Sequence, residues 1–477
     1  HVYRMDFEQM VMFAGASAAA GYDLDSLFIP YRCVASDITA RKQVVFSKGD
    51  LAQAVRASMS YPFYFKPIRI DGHLMMDGGL FNNFPSDVLY DAFMPDIIIG
   101  SNVAGNDAPP DEDDLMSQLK AMMTAPTNYA LPCSDGVIIE PKTNTTLFDF
   151  TSAEQTIKDG YRSAMERMPE IKATLARRNS AGSVAQRRSR YRAALPPVQF
   201  ADIRLEGLTA PQQLFAERVL NKKAETITPS VLKPRYFRLY ADPSISGLFP
   251  VARYDRDRGN FDLLVNVRRE KPLEVLFGGM YGSRPINSAM LGLRYNIFGR
   301  TSSRIDALGY FGKFYTAGQL RWRTDLSSRT PIYLEPVVTY NRWDYFRGFN
   351  NFFQEDRPSY IVDRERWGGV NAGMALGHKG LLRLDAKYAE SRHSYYQDDD
   401  FVAQDTADVT DFHFGTWGLT MERNSLNRKQ HPNTGELFRA QARLVNGMEA
   451  STPGTRSSSR EKLRTERAWF MAKVTLD

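Results

Sequence analysis

Leu74-Met-Met-Asp77-Gly78-Gly79-Leu-Phe-Asn82-Asn83-Phe-Pro85 is the stretch around which the chain is organised, together with Leu51-Ala-Gln-Ala-Val-Arg56-Ala-Ser58-Met-Ser-Tyr-Pro62 before it. Apolar residues carry a carboxylate, Asp77, into a turn built of two glycines. Glycine tolerates positive φ and lets another backbone come close. Asn82, Asn83 and Pro85 then make a second turn. Taken alone, Asp-Gly reads as a hairpin turn, the strongest short-range hairpin signal. Its neighbours point to more. Leu51 to Ser58 has a helical pattern, and Tyr31-Arg-Cys-Val-Ala and Gln43-Val-Val-Phe read as strands. Ile97-Ile-Ile-Gly, after Pro95-Asp96, reads as a buried parallel strand. The alternation is α/β.

Several motifs in order carry a family resemblance. They are Pro30-Tyr-Arg-Cys-Val-Ala-Ser-Asp37, Phe46-Ser-Lys-Gly49-Asp50-Leu51, the Ala-Val-Arg-Ala-Ser run, Phe65-Lys-Pro67, Asp77-Gly78-Gly79 and Asp96-Ile-Ile-Ile-Gly100-Ser-Asn-Val103. Residues 22 to 105 resemble the second half of the patatin-like phospholipase domain. The resemblance implies a Ser-Asp dyad whose aspartate is Asp77, supported by Gly78 and Gly79. It implies a lipid acyl hydrolase of the phospholipase A type, acting on phospholipid or other lipid acyl esters, with no metal and no cofactor.

The nucleophile is expected elsewhere. Gly15-Ala16-Ser17-Ala18-Ala19 is a degraded G-x-S-x-G, but that elbow needs a preceding strand and a strained turn. Ser17 lies in a small-residue run that reads as helix, and too close before Pro30 for the family's order. The chain opens in mid-pattern at His1-Val-Tyr-Arg. The expectation is a C-terminal portion of the hydrolase domain, with nucleophile and Gly-rich oxyanion loop on residues that are missing, and no activity in the chain as given.

With 477 residues, two or three domains are expected. A balance of 61 basic and 55 acidic side chains, net +6, does not suggest a nucleic-acid partner. Cys33 and Cys133 form neither a disulfide framework nor a metal spacing. His73, near the Asp-Gly-Gly, reads as a loop residue. No 18-residue apolar run occurs, so no transmembrane helix is expected. Leu115 to Met123 reads as a Met-rich helix, with its methionines as adaptable core filler rather than a lipid-contacting lid. From Ser152 onward Ile157, Tyr161, Ala164, Met168, Ile171 and Leu175 mark one face of an amphipathic helix closing the hydrolase domain, residues 1–176. Residues 177–196 form a basic connector.

After Pro196-Pro197 the order becomes strand, helix, helix, strand, strand, over residues 197–271. This small α+β unit resembles a POTRA domain, the module that precedes the barrel in the outer-membrane assembly superfamily. From 272 to 477 the period becomes 2: Arg383/Asp385/Lys387 alternate with Leu384/Ala386/Tyr388, and all five tryptophans lie beyond residue 320. Charges on one face and aromatics on the other indicate an antiparallel transmembrane β-barrel. About ten strands are expected. The resemblance implies that closure would take about sixteen, so the barrel reads as truncated. Arg347-Gly348-Phe349 resembles a barrel-loop tripeptide of that superfamily but falls too early and is read as coincidence.

Two functions are compatible with these readings. One is a serine lipid acyl hydrolase tethered to the bacterial outer membrane, with its hydrolase domain periplasmic or surface-exposed. The other is an outer-membrane assembly or secretion protein carrying an inactive patatin-like passenger, with outer-membrane lipid and the barrel-assembly machinery as partners.

Overall fold

The computed structural model describes the chain except residues 1, 107–108, 134, 144, 146–148, 176, 221–225, 282–287, 313, 327–330, 346–360, 378, 399, 403, 429–430 and 477. The Arg347-Gly-Phe tripeptide lies outside the described residues. The chain divides into two compact units. One comprises residues 1–206, 223–234 and 248–266, the other 207–222, 235–247 and 267–477.

The first unit opens with α1, Val2–Ala19, followed by β1, Cys33–Asp37, and β2, Lys42–Phe46. Next come α2, Leu51–Ser58, β3, Ile68–Ile70, and β4, His73–Asp77. Its four-stranded sheet runs β2-β1-β4-β3, with all three pairings antiparallel. β1 is buried along its whole length, as its run Cys-Val-Ala-Ser-Asp suggests. Asp50 caps α2, accepting the N–H of Gln53, and the helix buries Leu51, Ala52, Ala54 and Ala57. Ala35, Ala57, Ile68 and Met75 make the core, with Phe249 of the same unit packed against it.

Further along lie α3, Ser86–Phe93, and β5, Ile98–Ser101. α4, Leu115–Met123, and β6, Gly136–Ile139, follow, then α5, Ala153–Thr174, and α6, Ala181–Ala194. β5 pairs parallel with β6 as expected, but it is buried on one face only: Ile98 is enclosed and Ile99 is 49% exposed. Two further expectations fail here. α4 has the expected bounds, but none of its residues is buried, and Met122 is 83% exposed. The methionines are therefore not core filler. α5 is also mostly solvated: Ile157 and Tyr161 are exposed, and only Ile171, with Ala164 beside it, packs on Val137 and Ile139 of β6. An apolar stripe shows that a helix could be buried; the length of its partner sets how much of it is, and β6 has only four residues. The basic connector is helical over α6, with no buried residue.

The strand-helix-helix-strand-strand order appears as β7, Phe200–Glu206, α7, Ala210–Leu220, α8, Pro229–Tyr240, β8, Ile245–Asp255, and β9, Asn260–Arg269. Its sheet runs β7-β9-β8, with β7 parallel to β9. Phe200 and Phe261 meet edge to face at 6.5 Å between centroids.

Ten antiparallel strands form one sheet in the second unit. They are β10, Leu273–Met280, β11, Ser288–Phe298, β12, Ser302–Gly312, β13, Tyr315–Leu326, and β14, Ile332–Tyr345. The rest are β15, Ile361–Leu376, β16, Gly380–Tyr395, β17, Asp408–Asn424, β18, Leu437–Thr452, and β19, Leu463–Leu476. They pair strictly in chain order, and the sheet does not close: β10 and β19 are its outer members. Among the described residues, no helix is long and apolar enough to cross a membrane.

The two faces of this sheet reverse the usual burial. Leu384, Tyr388, Trp417 and Leu444 are each more than half exposed. Asp385, Thr416, Thr420 and Asp306 are buried. Two of the buried carboxylates are tied across strands. Arg294 donates to Asp306 at 2.8 Å and to Glu274 at 2.8 Å, and Arg443 reaches Asp385 at 3.3 Å.

Candidate active site

Asp77 is the last residue of β4 and sits opposite Ala35 of β1. Three interactions fix it. Its N–H donates to the Ser60 carbonyl at 3.1 Å. Its Oδ1 accepts the N–H of Gly79 at 2.8 Å, capping a one-turn 3₁₀ segment, Gly78–Leu80. The Leu80 carbonyl then accepts the N–H of Ala125 at 2.6 Å, pinning the far end of the turn.

The glycines are needed for space. Neither adopts positive φ, so the conformational part of the sequence argument does not apply here. A Cβ on Gly78 would stand 2.4 Å from the Val34 carbonyl oxygen, and one on Gly79 would stand 2.6 Å from Asn83 Oδ1. The turn is pressed against β1, which is why the carboxylate ends where it does.

The setting changes the carboxyl's acidity. Burial pushes the Asp77 carboxyl above its usual range, and the bond from Gly79 opposes this only in part. Cys33 lies near enough for charge on Asp77 to be felt. Burial pushes its thiol up, Ser58 and Tyr31 oppose that, and Asp77 adds to it. Cys33 Sγ also donates to the Ala54 carbonyl at 3.3 Å.

Other candidate residues fall into structural roles. Ser17 is fully buried in α1, and its Oγ accepts the N–H of Leu51 at 3.2 Å. It stands within a helix and not on a strand-to-helix turn. Asp37 is also buried. It accepts the N–H groups of Thr39 and Ala40 at 2.9 and 3.0 Å and meets His73 Nδ1 at 2.7 Å. The Ala40 bond, with Thr39 and His73 behind it, holds its carboxyl below the usual range against the opposing effect of burial. His73 is therefore not a loop residue: it begins β4 and pairs with Asp37.

Sequence reasoning missed a buried pair beneath the site. Arg56 Nε donates to Asp6 at 2.6 Å, and both side chains are almost fully buried. Arg56 also donates to Ser60 Oγ at 2.5 Å and to the Lys66 carbonyl at 3.2 Å. Ser60 is the residue whose carbonyl holds Asp77. The signal was present as an arginine among the alanines and valine of a helix, but its partner lies 50 residues earlier. Among the described residues, no cluster of three or more His, Cys, Asp and Glu is placed to hold a metal ion.

Residues 21–90 match the family model of patatin-like phospholipases. The match ends before β5, short of the 22 to 105 expected from the motifs. The mouse patatin-like phospholipase domain-containing protein 7 is 46% identical over 67 residues, 14% of this chain and 5% of that protein. Neuropathy target esterase sws of Drosophila melanogaster is 42% identical over 69 residues, again 5% of its length. An uncharacterized NTE family protein of Mycobacterium tuberculosis is 36% identical over 90 residues, 19% of this chain and 25% of that protein. The chain thus spans a quarter or less of each of these relatives. Among solved structures, BamA from Haemophilus ducreyi lacking POTRA domains 1-3 superposes with a TM-score of 0.40 at 14% identity, over 53% of this chain and 51% of that one. CdiB from Acinetobacter baumannii gives 0.31 at 8% identity, over 67% and 60%.

Proposed function

We propose that the chain is part of a patatin-like lipid acyl hydrolase in which Asp77 is the general base of a Ser-Asp dyad. The observation that carries this reading is the state of Asp77. A base working near neutral pH needs a pKa above that of an ordinary carboxylate, and the burial of Asp77 moves it in that direction. The carboxylate is held by the Gly79 N–H and its backbone by the Ser60 carbonyl, so it does not have to be ordered during the reaction. In this reading the nucleophile is a serine other than Ser17, whose hydroxyl is engaged by Leu51. The serine attacks the acyl ester carbonyl while Asp77 takes its proton, and the acyl-enzyme is then hydrolysed.

The reversed sheet supports a second element of the proposal, an outer-membrane anchor. A sheet whose exposed face carries leucine, tyrosine and tryptophan and whose other face carries paired charges suits lipid on one side and water on the other. The POTRA-like reading of 197–271 belongs to the same proposal, as does the choice of phospholipid or other lipid acyl esters as substrate.

The test is Asp77→Asn in protein that hydrolyses a lipid acyl ester. The change keeps the shape of the turn and the bond from Gly79. The expected loss of turnover is about 10²–10⁴-fold. Parental turnover in a folded variant would leave Asp77 as a turn cap and favour the passenger reading, with the membrane sheet carrying the function.

A further inference from the structure

The polar face of the ten-stranded sheet holds an arrangement that the Asp77 chemistry does not use. His393 and Ser391 stand two residues apart on β16, and so on one face of that strand. Asp363 lies directly opposite His393 on β15. His393 Nδ1 meets Asp363 Oδ1 at 2.6 Å, and His393 Nε2 meets Ser391 Oγ at 3.0 Å. The order is carboxylate, imidazole, hydroxyl, with the two ring nitrogens facing different partners. A proton on Nδ1, donated to Asp363, leaves the Nε2 lone pair directed at the serine hydroxyl. That is the disposition a hydroxyl nucleophile needs from its base and the base from its orienting group.

We propose that Ser391, His393 and Asp363 form a second nucleophilic site, acting on carboxylic esters that reach the water-facing side of the sheet. The surroundings fit an ester with an apolar acyl part. The Phe412 ring stands edge-on to His393 at 5.6 Å between centroids. Trp343 is the register partner of Asp363 on the other side, with Tyr315 at 4.1 Å from it. Water and substrate can reach the imidazole, since the His393 side chain is 38% exposed. Glu365, opposite Ser391, is itself engaged by the amide of Asn341 at 3.3 Å.

The reaction is ordinary acyl transfer. Ser391 Oγ bonds to the ester carbonyl carbon as its proton passes to His393 Nε2. The carbon–oxygen bond to the alkoxy group breaks, and that group leaves as an alcohol with the proton. Water then adds to the acyl carbon, giving a proton to Nε2. The acyl–Oγ bond breaks, the acid departs, and the proton returns to Ser391. Asp363 holds the ring in the productive tautomer and faces the positive charge that forms on it.

The experiment uses the protein in detergent micelles with a fluorophosphonate probe, which loses fluoride to an activated serine. Trypsin cuts after Lys387 and Arg392, so Ser391 is the one serine of peptide 388–392, and labelling there is separable from any serine paired with Asp77. The expected result is an adduct on this peptide. Its rate of formation should fall roughly 10²–10⁴-fold in His393→Gln and in Asp363→Asn, in variants that keep the parent's circular dichroism spectrum. Hydrolysis of p-nitrophenyl butyrate should fall in Ser391→Ala in step with the loss of this adduct. An unlabelled 388–392 peptide in the unaltered protein overturns the proposal whatever the variants do. So does labelling that is as fast in His393→Gln as in the parent.

Discussion

The Asp77 unit and the ten-stranded sheet use the same side chains in opposite places. Around Asp77, Ala35 and Ala57 are fully enclosed, Met75 and Ile68 nearly so, and buried charge is partnered, Asp6 by Arg56 and Asp37 by His73 and two backbone N–H groups. In the sheet, Leu384 and Trp417 face outward, while Asp385, Thr416 and Thr420 are enclosed. Neither arrangement follows from residue type alone. A unit surrounded by water gains stability by taking apolar area out of it. A sheet with lipid on one face has no such gain to make there, and gathers its polar groups on the other. In the proposed reading, the difference in burial is the difference between a region built for water and one with lipid on one face.

The largest effect expected from this contrast is in the first unit. Arg56→Ala leaves the Asp6 carboxylate enclosed without its partner, and burial already pushes that carboxyl above its usual range. The cost should be about 3–5 kcal/mol, the usual result of breaking a buried pair from one side, read by denaturant unfolding of that unit. A loss under 1 kcal/mol would mean that the pair is open to water.

Next in size is Leu384→Arg, on the exposed face of β16. A lipid-facing position should lose about 2–4 kcal/mol near the bilayer midplane, seen as a lowered midpoint for unfolding from lipid vesicles. If the sheet faces water on both sides the same change should be nearly silent, and the contrast between the regions would collapse.

Gly78→Ala separates space from backbone freedom in the Asp77 turn. Its Cβ would meet the Val34 carbonyl, so the turn or β1 has to move. About 1–3 kcal/mol of destabilisation is expected, as in other overpacked sites. Turnover should fall further than stability does, since the carboxylate is displaced with the turn.

The smallest effects are those of pH. The folded-state pKa of Asp77 is raised, so its protonated form favours folding. That contribution is present below an unfolded pKa of about 4 and is lost as pH rises through the folded value. Asp77→Asn should then melt at or slightly above the parent at pH 7, with the gap closing below pH ~4. Asp37 has the opposite sign. Its lowered pKa stabilises the fold above pH ~4, and that contribution is lost as the pH falls through its folded value. Calorimetry of the two Asn variants across pH 3–7 should give melting differences of opposite sign. A shared sign would contradict the two environments described for these carboxylates.

Local patterns were legible in the sequence because they depend on neighbours along the chain. The period of 2 gave a sheet of ten strands after residue 272, and Leu51–Ser58 and Leu115–Met123 emerged as helices with the expected bounds. The Asp77-Gly78-Gly79 turn also stood out, because few residues tolerate that spacing.

What a pattern touches was decided only by the tertiary structure. The Met stripe of α4 is solvated because, among the described residues, no element covers it. Gly78 is required by the Val34 carbonyl of another strand, and Arg56 is neutralised by Asp6 from another helix. Asp363 and His393, 30 residues apart, meet because β15 and β16 pair in one register. A slip of one residue would turn one of them to the opposite face. Periodicity along a strand fixes which side chains share a face; only the pairing with the next strand fixes which of them meet.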